Sequence, residues 1–335
     1  MRESFGAALD SLRQQSEGWL LLNNLRKLSA ATPEEVDSFM SVWAGLAERH
    51  RFQLAGALVD AAAVSGELTL EPLFEVILDD ESAEVRCAAL EGLDEVVDSR
   101  LADKLVVMLA TDPEAQVRAD VATLLGLYLS ECEGVEEEEH DTRRRVEDAL
   151  LEAINTDSEE VLVRQRALEA YGYAEDPYVD EVIMDSYDGD EDEMRASAVF
   201  AMGRRMDEEW LTIVHREMDN EVPEMRLAAI YAAAHIGSGA SVPYLLRVIG
   251  EDVSEDVRIA AVYGLAEIES PEAERLLQDL LESSDEVILA AASEALEMWS
   301  TREDLSDMVL FDYGPGGDDD SDDAPAQEED ENDNY

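Results

Sequence analysis

One short pattern recurs seven times along this chain at near-constant spacing, and it limits the fold more than any other feature. A valine or methionine precedes a basic residue, and a small apolar residue follows three places on. The basic members are Arg86, Arg118, Arg164, Arg195, Arg226 and Arg258, with Ile288 read as the seventh slot. The steps between them are 32, 46, 31, 31, 32 and 30 residues. A period near 31 is too long for a heptad and too short for a domain. It is the length of one helix pair.

Counted from the basic residue, offset −1 holds Val85, Val117, Val163, Met194, Met225, Val257 and Val287. Offset +3 is alanine everywhere but at Val121, and offset +7 runs from Leu93 to Ala295. Offsets −1, +3, +7 and +10 share one face of a 3.6-residue helix, so this face is predicted to be buried. The alanine at +3 predicts a second helix close by. A turn rich in Asp, Glu, Ser or Pro precedes each such helix. Asp112-Pro113-Glu114 is the clearest, with a side chain that can cap and a proline suited to the first turn. A second amphipathic segment lies before each turn, as at 101–109, 146–154, 242–249 and 273–281. A helix-turn-helix unit cannot bury its apolar face alone, so the units must stack.

The pattern reaches upstream, where 34–48 and 51–64 form a degenerate unit with Gln53 at the basic position. The expected layout is an N-terminal capping helix in 1–32 and a repeat array over 33–300. A C-terminal cap over 301–311 and a disordered acidic tail over 312–335 complete it. Ser4 to Leu28 reads as one cap helix whose Trp19 to Leu22 cluster covers the first repeat. The long 46-residue step is assigned to an acidic insertion, 131–142, read as a solvated loop around four consecutive glutamates. The tail lacks the apolar content to fold.

Composition narrows the function. The 335 residues are 46% hydrophobic and only 6% aromatic, with 82 acidic against 24 basic residues and a formal net charge of −58. Lys27 and Lys104 are the two lysines. The acids are spread along the chain, which fits general solvation, as in a salty cytoplasm, better than a single basic partner. Nucleic acid is excluded as an unaided ligand, because the chain has no basic stripe to displace counterions. No run approaches the roughly 18 apolar residues that cross a membrane. Cys87 and Cys132 match no metal or disulfide spacing. A cytoplasmic, monomeric protein is expected.

The segments Glu84 to Leu93 and Asp256 to Leu265 carry a Val-Arg-x-x-Ala-x-x-x-Leu pattern. It resembles the short HEAT-like repeats named after phycobilisome lyases, over about four-fifths of the chain. The run Ser197 to Arg205 is similar to segments of bacterial HEAT-repeat proteins. The resemblance implies an all-α fold, a right-handed α-solenoid of about eight HEAT-like helix pairs. It also implies that the arginine row forms a structural ladder near the turns, tied to acids and carbonyls of adjacent units. Function is not implied, since such repeats serve many roles.

Chemistry is hard to find in the sequence. His50, His140, His215 and His235 share no metal-ligand spacing, and none precedes a glutamate as in the di-iron deoxyhypusine hydroxylases that share this architecture. HEAT-type DNA glycosylases need a basic concave surface, which the charge denies. A bilin lyase would need a polar site for propionates, and Arg143-Arg144-Arg145 is the one basic triplet, read as a helix start balancing the neighbouring glutamates. No phosphate loop or catalytic triad can be argued. No enzyme activity, cofactor or metal is expected.

One surface stands out. Offsets +1, +5 and +9 point away from the buried face, toward the concave side of a solenoid. They carry Leu227 and Ile259 at +1, Phe200, Tyr231 and Tyr263 at +5, and Tyr173, Arg204 and His235 at +9. Stacked at about 10 Å per unit, these residues would form an aromatic ladder with an Arg and His rim. Two readings remain: rings that fill gaps between neighbouring helices, or a wall that binds a protein partner as a helix or extended peptide. The expected function is a non-catalytic interaction scaffold. The alternatives are a tetrapyrrole-handling factor like the bilin lyases and an adaptor in a signalling or taxis pathway.

Overall fold

The computed structural model describes residues 1–14, 19–65, 68–93, 98–132, 137–268 and 270–301. Among them are eighteen α-helices and no strand. Helices α1 (Glu3–Gln14) and α2 (Leu22–Leu25) precede eight helix pairs. The pairs in the first half are α3 (Pro33–Trp43) with α4 (Glu48–Val64), α5 (Glu71–Ile77) with α6 (Ala83–Glu91), α7 (Ser99–Thr111) with α8 (Ala115–Glu131), and α9 (Glu137–Ile154) with α10 (Val161–Tyr171). The second half holds α11 (Val179–Asp188) with α12 (Asp192–Arg204), α13 (Leu211–Glu217) with α14 (Pro223–Ile236), α15 (Val242–Glu251) with α16 (Glu255–Glu267), and α17 (Pro271–Leu280) with α18 (Glu286–Thr301). The chain is an all-α solenoid.

Local chemistry sets the helix starts. The Asp98 carboxylate accepts from the Leu101 N–H at 2.7 Å, and Ser270 Oγ accepts from the Ala273 N–H at 3.1 Å. Each satisfies an otherwise orphaned donor of the first turn. Proline sits in the first turn of α3, α5, α14, α15 and α17, where its missing N–H costs nothing. Gly237 ends α14 with φ 68°, the left-handed conformation that favours glycine.

The periodic face is buried. Val85, Val117, Val163 and Val257 are fully enclosed, as are Ala89, Val121, Ala167, Ala198, Ala229 and Ala261. The last unit departs from the expected register. Ile288 is buried and Val287 only half-buried, so Ile288 takes the −1 place and Leu289 stands in the basic slot. The final step is then 31 residues, which restores the period.

The second helices pack closely on one another, α8 on α10, α10 on α12, α12 on α14, α14 on α16 and α16 on α18. The first helices from α9 onward make far sparser mutual contacts. Closer packing on one side of an array curves it toward that side, so the second helices line the inner wall. Small residues permit the approach, at offset +8 of one unit against +6 of the next. A Cβ on Gly126 would lie 2.9 Å from Ala170 Cβ, one on Gly172 2.9 Å from Ala201 O, and one on Gly203 2.5 Å from Ala232 Cα. At the next junction the pair is inverted, Ala234 facing Gly264.

Three expectations need correction. The single cap helix from Ser4 to Leu28 is instead α1, then α2 and a 3-10 turn at Arg26–Leu28. Arg2 fixes it: its backbone N–H and guanidinium bind Glu35, whose carboxyl falls to about 2 because of those bonds. The acidic insertion 131–142 is not a loop throughout, since α8 continues to Glu131 and α9 begins at Glu137. Most of the excess length therefore becomes helix. Arg143 lies inside α9, which begins at Glu137, rather than at a helix start, and its guanidinium pairs with Glu147 of the same helix at 3.3 Å. It is buried and donates to the carbonyls of Leu129, Cys132 and Tyr173. These bonds satisfy the open C-terminal end of α8 and the chain just beyond α10. The expected C-terminal cap beyond 301 and the tail 312–335 lie outside the described residues.

Candidate functional site

The arginine row tiles the turns. Arg86 grips Asp112 with two nitrogens at 2.9 and 2.7 Å and donates to the carbonyls of Asp80 and Glu81. Arg226 holds Asp252 in the same way, at 2.6 and 2.8 Å, and donates to the carbonyls of Asn220 and Glu221. Arg118 pairs with Glu159, Arg164 with Glu191 and Arg258 with Asp285. Arg86, Arg118, Arg164 and Arg226 therefore clamp carbonyls of their own turn, and all five arginines reach the carboxylate of the following one. Burial pushes the Asp252 carboxyl up, but the Arg226 bonds outweigh this and hold it below the ordinary range. In the first unit Arg51, rather than Gln53, makes the rung, to Asp80 at 2.8 Å.

Arg195 breaks the row. Among the described residues it pairs with Asp192 of its own helix, at 3.2 Å, and its guanidinium lies 5.8 Å from the Tyr187 ring. The following turn carries Asn220 where Asp80, Asp112 and Asp252 stand in other units, six places before the basic residue. Asn220 Oδ1 still accepts from the Val222 N–H at 2.9 Å, as Asp112 accepts from Glu114, but it brings no charge. An open cleft of about 630 Å³ lies there, lined by Tyr187, Arg195, Arg216, Glu217, Asn220 and Val222 among others. Tyr187 donates to Glu217 and accepts from Arg216, so the polar groups of the cleft already engage one another.

On the inner wall, five of the residues singled out by their offsets form one column. Tyr173 lies against one side of Arg204, with the guanidinium carbon 4.7 Å from its ring, and Phe200 is 4.8 Å away. Phe200 stacks on Tyr231 at 3.6 Å with the planes 8° apart, and Tyr231 meets His235 at 4.1 Å. Arg204 Nη1 donates to the Glu169 carbonyl at 2.9 Å, which fixes the cation between the rings. Burial pushes the Tyr231 phenol up to about 12 and His235 down to about 4, the latter aided by Arg204. At neutral pH, Arg204 thus carries the charge of the column. Tyr263 turns its hydroxyl to Glu294 at 2.8 Å.

The column is unevenly covered. Tyr231, Arg204 and Tyr263 are buried, while Tyr173, Phe200, Leu227, His235 and Ile259 are half-buried and keep part of their surface open. N-terminal to it the wall becomes polar. Glu169 is buried and accepts from Ser197 and Arg166, both at 2.7 Å. The Cys87 thiol is pushed up to about 12 by burial and by Asp120, opposite to what a nucleophile needs. Sequence reasoning missed Arg51, Glu169, the buried role of Arg143 and the +8/+6 small-residue pairs. The last left a legible trace, glycine or alanine recurring in register with the arginines.

No group of three or more His, Cys, Asp and Glu side chains among the described residues could hold a metal ion. No helix among them is long and apolar enough to cross a membrane. The family model for HEAT repeats matches residues 181–265 and 250–309, so this part of the chain carries HEAT repeats. No curated protein is a significant match in sequence. Among solved structures, human deoxyhypusine hydroxylase in complex with glycerol is 17% identical, at a TM-score of 0.31, over 74% of this chain and 98% of that one. An engineered protein is 16% identical, at a TM-score of 0.33, over 89% and 99%. A second engineered protein is 17% identical, at 0.20, over 84% and 96%. Likeness at this level carries no argument about activity.

Proposed function

We propose that this chain is a non-catalytic scaffold or adaptor that holds a protein partner, as a helix or extended peptide, along the inner wall from α10 to α16. The observation that supports it most is the half-open surface of Tyr173, Phe200, Leu227, His235 and Ile259 above a stacked column. Rings held by stacking and by a buried arginine are ordered before a partner arrives. Docking on them therefore costs little conformational entropy. Aromatic residues and arginine are also the types that contribute most at interfaces. The downward shift of His235 and the upward shift of Cys87 leave neither suited to acid, base or nucleophile work near neutral pH. The period near 31 residues supports assigning the repeats to the short type named after phycobilisome lyases.

Photo-crosslinking tests this reading. A photoreactive amino acid placed at Leu227 or Ile259, in cells that produce the protein, is expected to capture a discrete partner. The same amino acid at Leu246, exposed on α15, is expected to capture none. Capture at Leu246 alone would contradict the reading.

A further inference from the structure

Resting on the docking surface proposed above, we infer that its partner segment is basic, with an apolar anchor on the Phe200–Tyr231 platform and Lys or Arg side chains toward the C-terminal end of the array. The rows of the inner wall change character along the chain. With the last unit in its corrected register, offset +5 reads Phe200, Tyr231, Tyr263 and then Glu294. Offset +9 reads Tyr173, Arg204, His235 and then Glu267. Carboxylates thus follow the aromatic residues in both rows, at Glu294 and at Glu267, and the +9 row ends on Met298 of the last unit. Glu294 is exposed and accepts a hydrogen bond from the Tyr263 hydroxyl. Glu267 is half-buried.

The N-terminal end of the wall differs. Next to the column on that side, the offset +5 carboxylate Glu169 is buried and accepts from Arg166 and Ser197, while the exposed Glu91 at the same offset lies two units further out, on α6. The cation of the column, Arg204, is buried between Tyr173 and Phe200. The wall thus offers a partner apolar surface in the middle and negative charge at one end, within a chain of net charge −58. Such a field attracts a cationic segment and repels an acidic one. Residues 312–335 of the chain, rich in Asp and Glu, carry the opposite charge to such a segment.

Geometry sets the spacing. Tyr231 and Glu294 are two units apart, roughly 16–20 Å at 8–10 Å per packed helix. An extended peptide covers that distance in about five or six residues, and a helical one in about eleven to thirteen.

The test begins with a random 16-residue peptide library selected on the immobilised full-length chain. Enriched peptides are expected to combine an aromatic or aliphatic anchor with Lys or Arg at one of those two spacings. A synthetic consensus peptide is expected to lose at least tenfold in affinity on the Glu267→Gln/Glu294→Gln double variant. It should lose little on Glu181→Gln/Asp185→Asn, two exposed acids of the outer helix α11. Glutamine keeps the hydrogen bond to Tyr263, and circular dichroism confirms folding. Enrichment of neutral or acidic peptides would overturn the proposal, as would the absence of any enriched peptide. Equal losses on both double variants would show that diffuse charge attracts the peptide, and would overturn it too. Leu227→Glu separates the two readings: if it leaves binding unchanged, the docking surface itself fails, whereas failure of the charge pattern alone leaves that surface standing.

Discussion

Gly203 and Gly56 show how the same residue type carries opposite meanings. A Cβ on Gly203 would lie 2.5 Å from the Ala232 backbone, whereas one on Gly56, within α4, would meet nothing within 4 Å. Gly203→Ala is expected to destabilise the fold by about 1–3 kcal/mol through overpacking. Gly56→Ala is expected to stabilise it by about 0.5–1 kcal/mol through helix propensity. Urea midpoints measure both. His235 supplies a pH signature. Its folded value of about 4 lies below that of a free imidazole, so the unfolded chain binds more protons between pH 4 and 6.5. Stability from this residue is thus present above 6.5 and lost as pH falls toward 4, by on the order of 3 kcal/mol. Acidification also relieves repulsion among the many carboxylates. The quantity to measure is therefore the difference in urea midpoint between the wild type and His235→Asn, which should narrow as pH falls through that window.

Pairs of elements are joined by the arginine rungs, and the rungs are unequal. The Arg226 and Asp252 side chains are only 9% and 7% exposed, so Arg226→Ala would strand a buried carboxylate, at a cost of about 3–5 kcal/mol. Arg195 pairs with the exposed Asp192 and reaches no later turn, so Arg195→Ala is expected to cost less than about 1 kcal/mol. The junction between α12 and α14 thus lacks a rung and keeps an open cleft. Asn220→Asp would restore the missing charge. In a double-mutant cycle with Arg195→Ala it is expected to show a favourable coupling of about 0.5–1 kcal/mol; zero coupling would show that Arg195 does not reach the turn. The six arginines were legible because their spacing is the period itself. Arg51 was not, because the first unit is two residues out of step. Ile288 was misplaced because the last unit has no basic residue to mark its phase. The insertion was misread because an acidic run looks solvated whether it is a loop or the start of a long helix.

Across the whole molecule each unit is sealed only by its neighbours, so stability is shared along the array. Net charge of −58 opposes that compact state. Raising sodium chloride from about 10 mM to about 1 M shortens the Debye length from roughly 30 Å to 3 Å. The thermal midpoint is expected to rise over that range, and an unchanged midpoint would show that the acids do not repel one another appreciably. The architecture could be read from one period, whereas the column could be read only in part. Offsets placed Tyr173, Phe200, Arg204, Tyr231 and His235 on one wall, but not the insertion of the guanidinium between rings, which depends on the Glu169 carbonyl of the preceding unit. That arrangement bears most directly on function, and hydrogen exchange measured with and without a bound partner peptide tests it. Added protection is expected in α12, α14 and α16, with α11, α13 and α15 unchanged. Protection confined to those outer helices would contradict an inner wall that holds the partner.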